Sequence, residues 1–387
     1  MLDLLSHLVD KSLVIADDDG GGGRRYRLLE TVRQYGRERV VRSGDAERVR
    51  DRHLAFFADL VRRAEPELQK ADQVAWLNRL QLEHDNLRAA LDWCLTAPQR
   101  ADQGLELTAA LFWFWTKRGY LGEGRRWLER GLAAESRRSP ALRAKALIEL
   151  AHTVFLQGDY AGAKARSEES LSLAREAGDL WAVSWSLLMQ ALVAIMVGDF
   201  EQGARLATES QSAALAIGAV RLQGEAVEVL AYCAQERGDH GSAGRLYEEA
   251  LALLRPTGDK WILGIALTDL ATFRVAEGLH AQAKVLLAEV IVLNEELANM
   301  VGIASGLEIL AAAEAASGQC VRATQLWGAS DGLFDSVGAA SFYKSIRDRY
   351  FDTARESLGD TAFQAAIAKG RAMSLKHAIQ YALEDKS

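Results

Sequence analysis

Small and apolar residues return on a fixed ruler through most of the chain. Gly-x-[Tyr/Phe/His/Cys] recurs as Gly158-Asp159-Tyr160, Gly198-Asp199-Phe200, Gly238-Asp239-His240, Gly278-Leu279-His280 and Gly318-Gln319-Cys320, a step of 40 residues each time. Halfway between stand Gly178, Gly218, Gly258 and Gly338, with Ala298 at the one midpoint that lacks glycine. Seven residues before the first glycine of each unit lies Ala151, Ala191, Ala231, Ala271 or Ala311, preceded by Leu150, Gln190, Leu230, Leu270 or Leu310. Five residues after it comes Ala163, Gly203, Ala243, Ala283 or Ala323. Each 20-residue half fits one helix and a turn, and glycine ends a helix readily in the left-handed conformation. Small residues at fixed places let two backbones approach, and leucine beside them fills the gap. The pattern predicts helix–turn–helix units stacked into an α-solenoid.

The order of small positions and the Gly-Asp-Tyr turn resemble the tetratricopeptide repeat. The unit of 40 residues exceeds the ~34 of the standard repeat, which longer helices absorb. A degenerate unit around Arg118-Gly119-Tyr120 precedes the five, flanked by Phe112, Trp113, Trp115 and Trp127. After the ruler ends, amphipathic helices are predicted at Phe342–Leu358, Asp360–Arg371 and Ser374–Leu383, with Asp360 and Ser374 as N-caps. End units of a solenoid are atypical because they cover an exposed core face. The expected fold class is all-α, a tetratricopeptide-like α-solenoid of 40-residue helix pairs behind a small N-terminal winged-helix remnant with one β-hairpin. The expected divisions are a partial winged helix at 1–50, linker helices at 51–100, repeats at 101–340 and capping helices at 341–387.

At the front, residues 2–14 place Leu2, Leu5, Leu8 and Val9 on one helical side. Ser12–Ala16 and Arg24–Leu28 pattern as two short strands joined by Asp17-Asp18-Asp19 and Gly20 to Gly23, and a helix follows from Glu30. The runs Leu8-Val9-Asp10-Lys11-Ser12-Leu13-Val14 and Arg25-Tyr26-Arg27-Leu28-Leu29-Glu30-Thr31-Val32-Arg33-Gln34-Tyr35 resemble the winged-helix stretch of STAND-type signalling ATPases. Trp76-Leu77, Glu83 to Leu91, Trp93 and Glu123 to Leu128 are similar to the linker helices of the bacterial NB-ARC-like regulators in that family. The resemblance implies a three-part machine: an ATPase switch, a repeat sensor and often a LuxR-type helix-turn-helix for promoter DNA. This sequence has no G-x-x-x-x-G-K-[ST] phosphate loop and no further helix-turn-helix pattern before Ser387. The expectation is the C-terminal half of such a regulator, starting inside its winged helix, with its ATPase domain either on another chain or lost by truncation.

Composition narrows the class. Hydrophobic residues at 49% and charged residues at 26% are the balance of a folded chain, and the scarcity of proline, at 4, favours helix throughout. The net charge is −7, yet residues 24–52 carry ten arginines against five acids. Such a stretch offers phosphate contacts, although a salt-bridged helix face is the expected use. Cys94, Cys233 and Cys320 are few, distant and unpaired, as in a reducing compartment. The start shows no basic, apolar leader, and the most apolar run, Ala109 to Trp115, is far short of the ~20 residues of a membrane helix. The expected location is cytoplasmic.

Candidate chemistry is sparse. Gly328-Ala329-Ser330-Asp331-Gly332 matches a nucleophile elbow, but that motif needs a strand before its serine. Ser330 instead falls in register with Ser170, Ser210, Ala250 and Val290, a packing position. Glu83-His84-Asp85-Asn86 lacks a second histidine at helical spacing, so surface or capping roles are expected. Gly20 to Gly23 follow three aspartates, which repel phosphate. Trp113, Trp115, Trp127, Trp181 and Trp185 are core candidates that also suit an aromatic pocket. No catalytic, cofactor or metal role is expected of any residue.

The solenoid leaves a binding function. In the repeat register, Lys145, Ile148, His152 and Phe155 face the groove from the first inner helix. Trp185, Leu188, Leu192 and Ile195 do so from the second, and Glu225, Glu228, Tyr232 and Gln235 from the third. Large apolar side chains on a concave face mark an interaction site. The alternative is a superhelix that closes tightly and packs them away. The expected ligand is a protein, a peptide or a small effector, with specific DNA binding by the chain alone not expected.

Overall fold

The computed structural model describes residues 2–18, 24–134, 140–341 and 343–384. The N-terminal unit comprises α1 (Leu2–Asp10), β1 (Val14–Asp18), β2 (Arg24–Leu28) and α2 (Glu30–Arg42). The strands pair antiparallel, with Val14 opposite Leu28 and Asp17 opposite Arg25. The first helix stops four residues short of the expected end, because Ser12 turns the chain at φ 56° and Val14 is taken into the hairpin. The strand in turn runs on into the expected connector at Asp17. The Gly20 to Gly23 tip lies outside the described residues.

Next come α3 (Ala46–Ala64), α4 (Gln73–Leu82) and α5 (His84–Cys94), then α6 (Ala101–Ala110), α7 (Phe112–Lys117) and α8 (Leu121–Ala133). The last three make the degenerate unit. The five regular units are the hairpins α9 (Pro140–Leu156) with α10 (Tyr160–Ala177) and α11 (Leu180–Met196) with α12 (Phe200–Ala216), then α13 (Val220–Glu236) with α14 (His240–Leu254) and α15 (Lys260–Ala276) with α16 (His280–Glu296). The fifth is α17 (Met300–Ala316) with α18 (Cys320–Val337). Among the described residues no strand follows Leu28. The chain is an all-α, tetratricopeptide-like solenoid with one N-terminal hairpin.

The ruler is visible in the turns. Gly158, Gly198, Gly238, Gly278 and Gly318 all hold φ between 78° and 82°, left-handed values that cost other residues energy. The aspartate after the glycine then caps the next helix: Asp159, Asp199 and Asp239 each accept from the third N–H beyond them, at 2.8–3.0 Å. Ala151, Ala191, Ala231, Ala271 and Ala311 are fully buried between helices. A β-carbon on Gly203 would sit 2.8 Å from Ile195 Cγ2, so even alanine is too large there.

The chain ends in α19 (Lys344–Leu358), α20 (Asp360–Arg371) and α21 (Leu375–Leu383). Phe342, the expected start of the first, lies outside the described residues. Ser374 caps α21 through His377 N. Asp360, by contrast, is the first helical residue and not the cap, a place taken by Gly359; its carboxylate meets Arg355 at 2.6 Å. Among the described residues no helix is long and apolar enough to cross a membrane.

Candidate functional site

The inner helices converge. Lys117, at the end of α7, donates to Asp259 Oδ1 at 2.7 Å, at the start of α15 and 142 residues along the chain. It also donates to Leu68 O at 2.6 Å and Gln73 Oε1 at 2.9 Å, which uses all three ammonium protons. Both partners of the ion pair are fully buried. Gln73 Nε2 donates to Gly258 O at 3.2 Å, and Arg118 Nη1 to Leu297 O at 3.3 Å. The degenerate unit therefore reaches across the groove and touches the fourth repeat. The superhelix is closed.

This closure corrects the expected open face. Ile148, Trp185 and Leu188 are at most 2% exposed, and His152 and Glu228 are buried with them. Trp113 from α7 stacks on Trp185 at 5.7 Å and 11°, and packs edge-on against Trp261 of α15 at 5.7 Å. The tight-packing alternative is what the chain adopts, because burying aromatic surface against aromatic surface is favourable. Leu192 is half-buried against the same core. Phe155 packs beside Tyr160, Ile195 over Gly203, and Tyr232 beside Phe200, all toward the glycine turns. The expected residues brought together at the centre are thus Ile148, His152, Trp185, Leu188, Glu225 and Glu228.

Polar groups are enclosed with them. Arg221, the second residue of α13, lies 4.5 Å over the Trp113 ring. Its Nη1 is 2.9 Å from Glu225 Oε1 and its Nε is 3.4 Å from Asp259 Oδ2, contacts that are close but poorly aligned for hydrogen bonding. His152 packs within 6.2 Å of Phe112, Trp113, Trp185 and Trp261. Burial, with Arg221 nearby, pushes its pKa down to about 3, so the ring is neutral. Burial also lowers Lys117 to about 8, against the pull of Asp259. For Asp259 burial acts upward, but Lys117 and Arg221 hold the carboxyl below its usual range. Glu225 is raised by burial in spite of Arg221. Glu228 is raised well above the carboxylate range by burial and by Asp269 beside it. Tyr343, from the C-terminal segment, donates to Asp269 at 2.7 Å and covers that end.

Lys117, Arg221, Trp261 and Asp259 were missed in the sequence. Asp259 carried a signal, as the aspartate after a ruler glycine. Lys117 carried none beyond following an apolar run.

The other expectations resolve locally. Ser330 is buried and donates to Ala304 O at 2.8 Å, as Ser170 does to Ala144 O. His84 is not at the surface, because its ring packs 5.1 Å from Phe114 and meets Glu123 at 3.1 Å. Trp127 donates to Glu123, also far from the centre. In the arginine-rich stretch, Arg25 pairs with Glu83, Arg27 with Asp17, Arg33 with Glu30 and Arg48 with Asp45. Among the described residues no cluster of metal-binding side chains occurs.

Residues 1–41 match the winged helix-turn-helix domain family. Over 367 residues the chain is 31% identical to two candidate HTH-type transcriptional regulators, one from Mycobacterium tuberculosis and one from Mycobacterium bovis. The alignment takes in 88% of this chain and 40% of each relative, so the chain spans about two fifths of their length. Among solved structures, a Rap protein complexed with competence and sporulation factor is similar at TM-score 0.50 and 12% identity, covering 84% of this chain and 100% of that one. Aspartyl phosphate phosphatase F from Bacillus subtilis is similar at 0.51 and 10%, covering 78% and 81%. At such identities the likeness is one of fold.

Proposed function

We propose that this chain is a non-enzymatic binding and sensor module of a transcriptional regulator, whose repeats hold a protein, peptide or small effector. The observation that carries this reading is a closed repeat superhelix with ionised groups at its centre, joined in one chain to a winged-helix unit. The two parts touch through the Arg25–Glu83 pair, a contact able to report a change in the linker helices. Likeness to candidate transcriptional regulators supports the output, and a fold neighbour solved with a bound factor supports binding. Within that reading the chain is the C-terminal half of a STAND/NB-ARC-type, LuxR-branch regulator, and an ATPase domain acts on it from elsewhere. Without a phosphate loop the purified chain does not turn over ATP. Turnover that survives purification and disappears in a point mutant contradicts this.

The test is thermal melting of the chain with metabolite and peptide fractions of its host cell, followed by hydrogen exchange. A fraction that raises Tm and protects helices α9–α15 is the expected result. Protection confined to residues 1–41 would instead favour DNA recognition by the winged helix. That second reading is favoured by the family match, while four of its arginines are engaged by acids. Polyanion binding by this stretch is expected to be weak and to fall steeply with salt.

A further inference from the structure

We propose that the segment carrying Ser341 and Tyr343 is a proton-dependent latch, which holds α19 over the inner helices while the carboxyls of Glu228 and Asp269 share a proton and releases it when that proton leaves. The latch is made of the chain's own residues and needs no ligand.

Three successive inner helices each bring an acid to this segment: Glu228 on α13, Asp269 on α15 and Glu308 on α17. Ser341 donates to Glu308 Oε2. Tyr343 Oη donates to Asp269 Oδ1 at 2.7 Å, and its N–H donates to Ser341 Oγ at 2.9 Å, so the segment is folded around both acids. The next residue, Lys344, starts α19, which lays Phe351 on Trp327 of α18 at 5.2 Å. Behind Asp269, the Glu228 carboxyl hydrogen-bonds to the Asp269 carboxyl. Ionised carboxylates only accept, so a hydrogen bond between two carboxyls requires a proton. Glu228 Oε1 is buried without a donor, a place where an ionised oxygen is costly. Asp269 is half-buried, which leaves the shared proton a route to solvent.

The surroundings set the sign. The groups facing the pair are acids and phenols: Glu225, Tyr232 and Glu236 on α13, Tyr247 on α14 and Tyr343 itself. The cation of α19, Arg347, is spent on Asp331 and lies 3.7 Å from Glu308. Burial pushes Tyr232 up to about 12 and raises Tyr247 and Tyr343 as well, so these phenols stay protonated near neutrality. Burial and the adjoining Asp269 raise Glu228 well above the carboxylate range, and burial raises Asp269. The closed form therefore keeps a proton that a solvated Glu228 gives up. Closure is strongest below the ordinary glutamate value of 4.5 and weakens as pH rises toward the closed-state value. Once the proton is gone, two like charges adjoin in a place poor in water, and lifting Tyr343 lets water in.

Hydrogen exchange of the full chain, corrected for the intrinsic rate, is followed from about pH 5 to about pH 9, the range that buried carboxyls span. Each opening releases one proton, so protection of α19 is expected to fall by up to about tenfold per pH unit relative to α13 and α15. Glu228→Gln supplies Asp269 with an amide donor at every pH and is expected to keep α19 protected with no slope. Tyr343→Phe removes the catch and is expected to cut the protection of α19 at least tenfold at the acid end. Protection of α19 that ignores pH, or that falls in step with α13 and α15, overturns the latch. Glu308 is also raised by burial, and a slope kept in Glu228→Gln would assign the proton to Glu308 and overturn it equally. Where Glu228→Gln fails to fold, Tyr343→Phe carries the test, and full protection of α19 in that variant overturns the latch.

Discussion

Ala298 holds φ at 53°, in the one midpoint turn where the ruler does not supply glycine. A β-carbon in the left-handed region costs roughly 1–2 kcal/mol, offset in part by the entropy that glycine loses on folding. Ala298→Gly is expected to stabilise the chain by about 0.5–1 kcal/mol in urea titration, and a loss of stability would contradict the strain. Gly258 is the opposite case. It combines φ 74° with a would-be β-carbon 2.9 Å from Ala71 N, so Gly258→Ala is expected to cost roughly 2–4 kcal/mol. His152 adds a pH dependence whose sign is fixed. Its folded pKa, about 3, lies below the ordinary 6.5, so the unfolded chain binds the proton first. Stability from this group is complete above 6.5 and is lost as pH falls toward 3, about 2 kcal/mol of it between pH 7 and pH 5. Lys117 on a facing helix stays charged over that window, whereas burial raises Glu225 and Glu228 on α13, and these carboxyls contribute a slope of the opposite sign. His152→Gln should flatten the curve, and an unchanged slope would assign it to other groups.

The crossing of α18 and α20 depends on two glycines. A β-carbon on Gly370 would lie 1.9 Å from Gln325 O, and one on Gly328 would lie 2.2 Å from Ile367 O. Both obstacles are backbone, so neither side can yield without separating the helices. Gly370→Ala is expected to cost about 3 kcal/mol or more and to release the C-terminal helices first, seen as early loss of exchange protection in α20. Equal stability would mean that the helices slide apart freely. This crossing also shows what the sequence could and could not tell. The helices themselves were legible, because glycine and aspartate mark each turn locally and the 40-residue step repeats the message. Gly328 and Gly332, however, stood in a pattern that matched a nucleophile elbow, and only the register of Ser330 argued for packing. That α20 is what packs over them could not be read, since the contact joins a repeat to a segment outside the ruler. His84 was misjudged for the same reason, as its partners Phe114 and Glu123 lie on other helices.

The curvature of the stack decides whether its inner face is a groove or a core, and small rotations between successive units add up to it. Repeat register placed Ile148, His152, Trp185, Leu188, Glu225 and Glu228 on the inner helices, yet no local pattern shows that α7 comes round to meet α15. The Lys117–Asp259 pair is the strongest mark of that closure, and it gives a test of the architecture. Lys117 has all three protons engaged, one of them by Asp259, while Asp259 Oδ1 also caps α15 through Trp261 N at 3.1 Å. Removing one partner leaves the other charged in a place closed to water, which costs roughly 3–5 kcal/mol. Lys117→Met leaves Asp259 with only the misaligned Arg221 at 3.4 Å. Asp259→Asn keeps the cap and leaves the ammonium uncompensated. Each single variant is therefore expected to lose about 3 kcal/mol, and the double variant to lose less than their sum by at least about 1 kcal/mol, the signature of direct coupling. If the pair also holds the ring shut, the single variants shift the emission of Trp113 and Trp261 to the red and enlarge the radius of gyration in solution scattering. Additive losses would show that the two charges act independently. Strong coupling at constant radius would leave the pair as core packing and assign the closure to the stacked tryptophans.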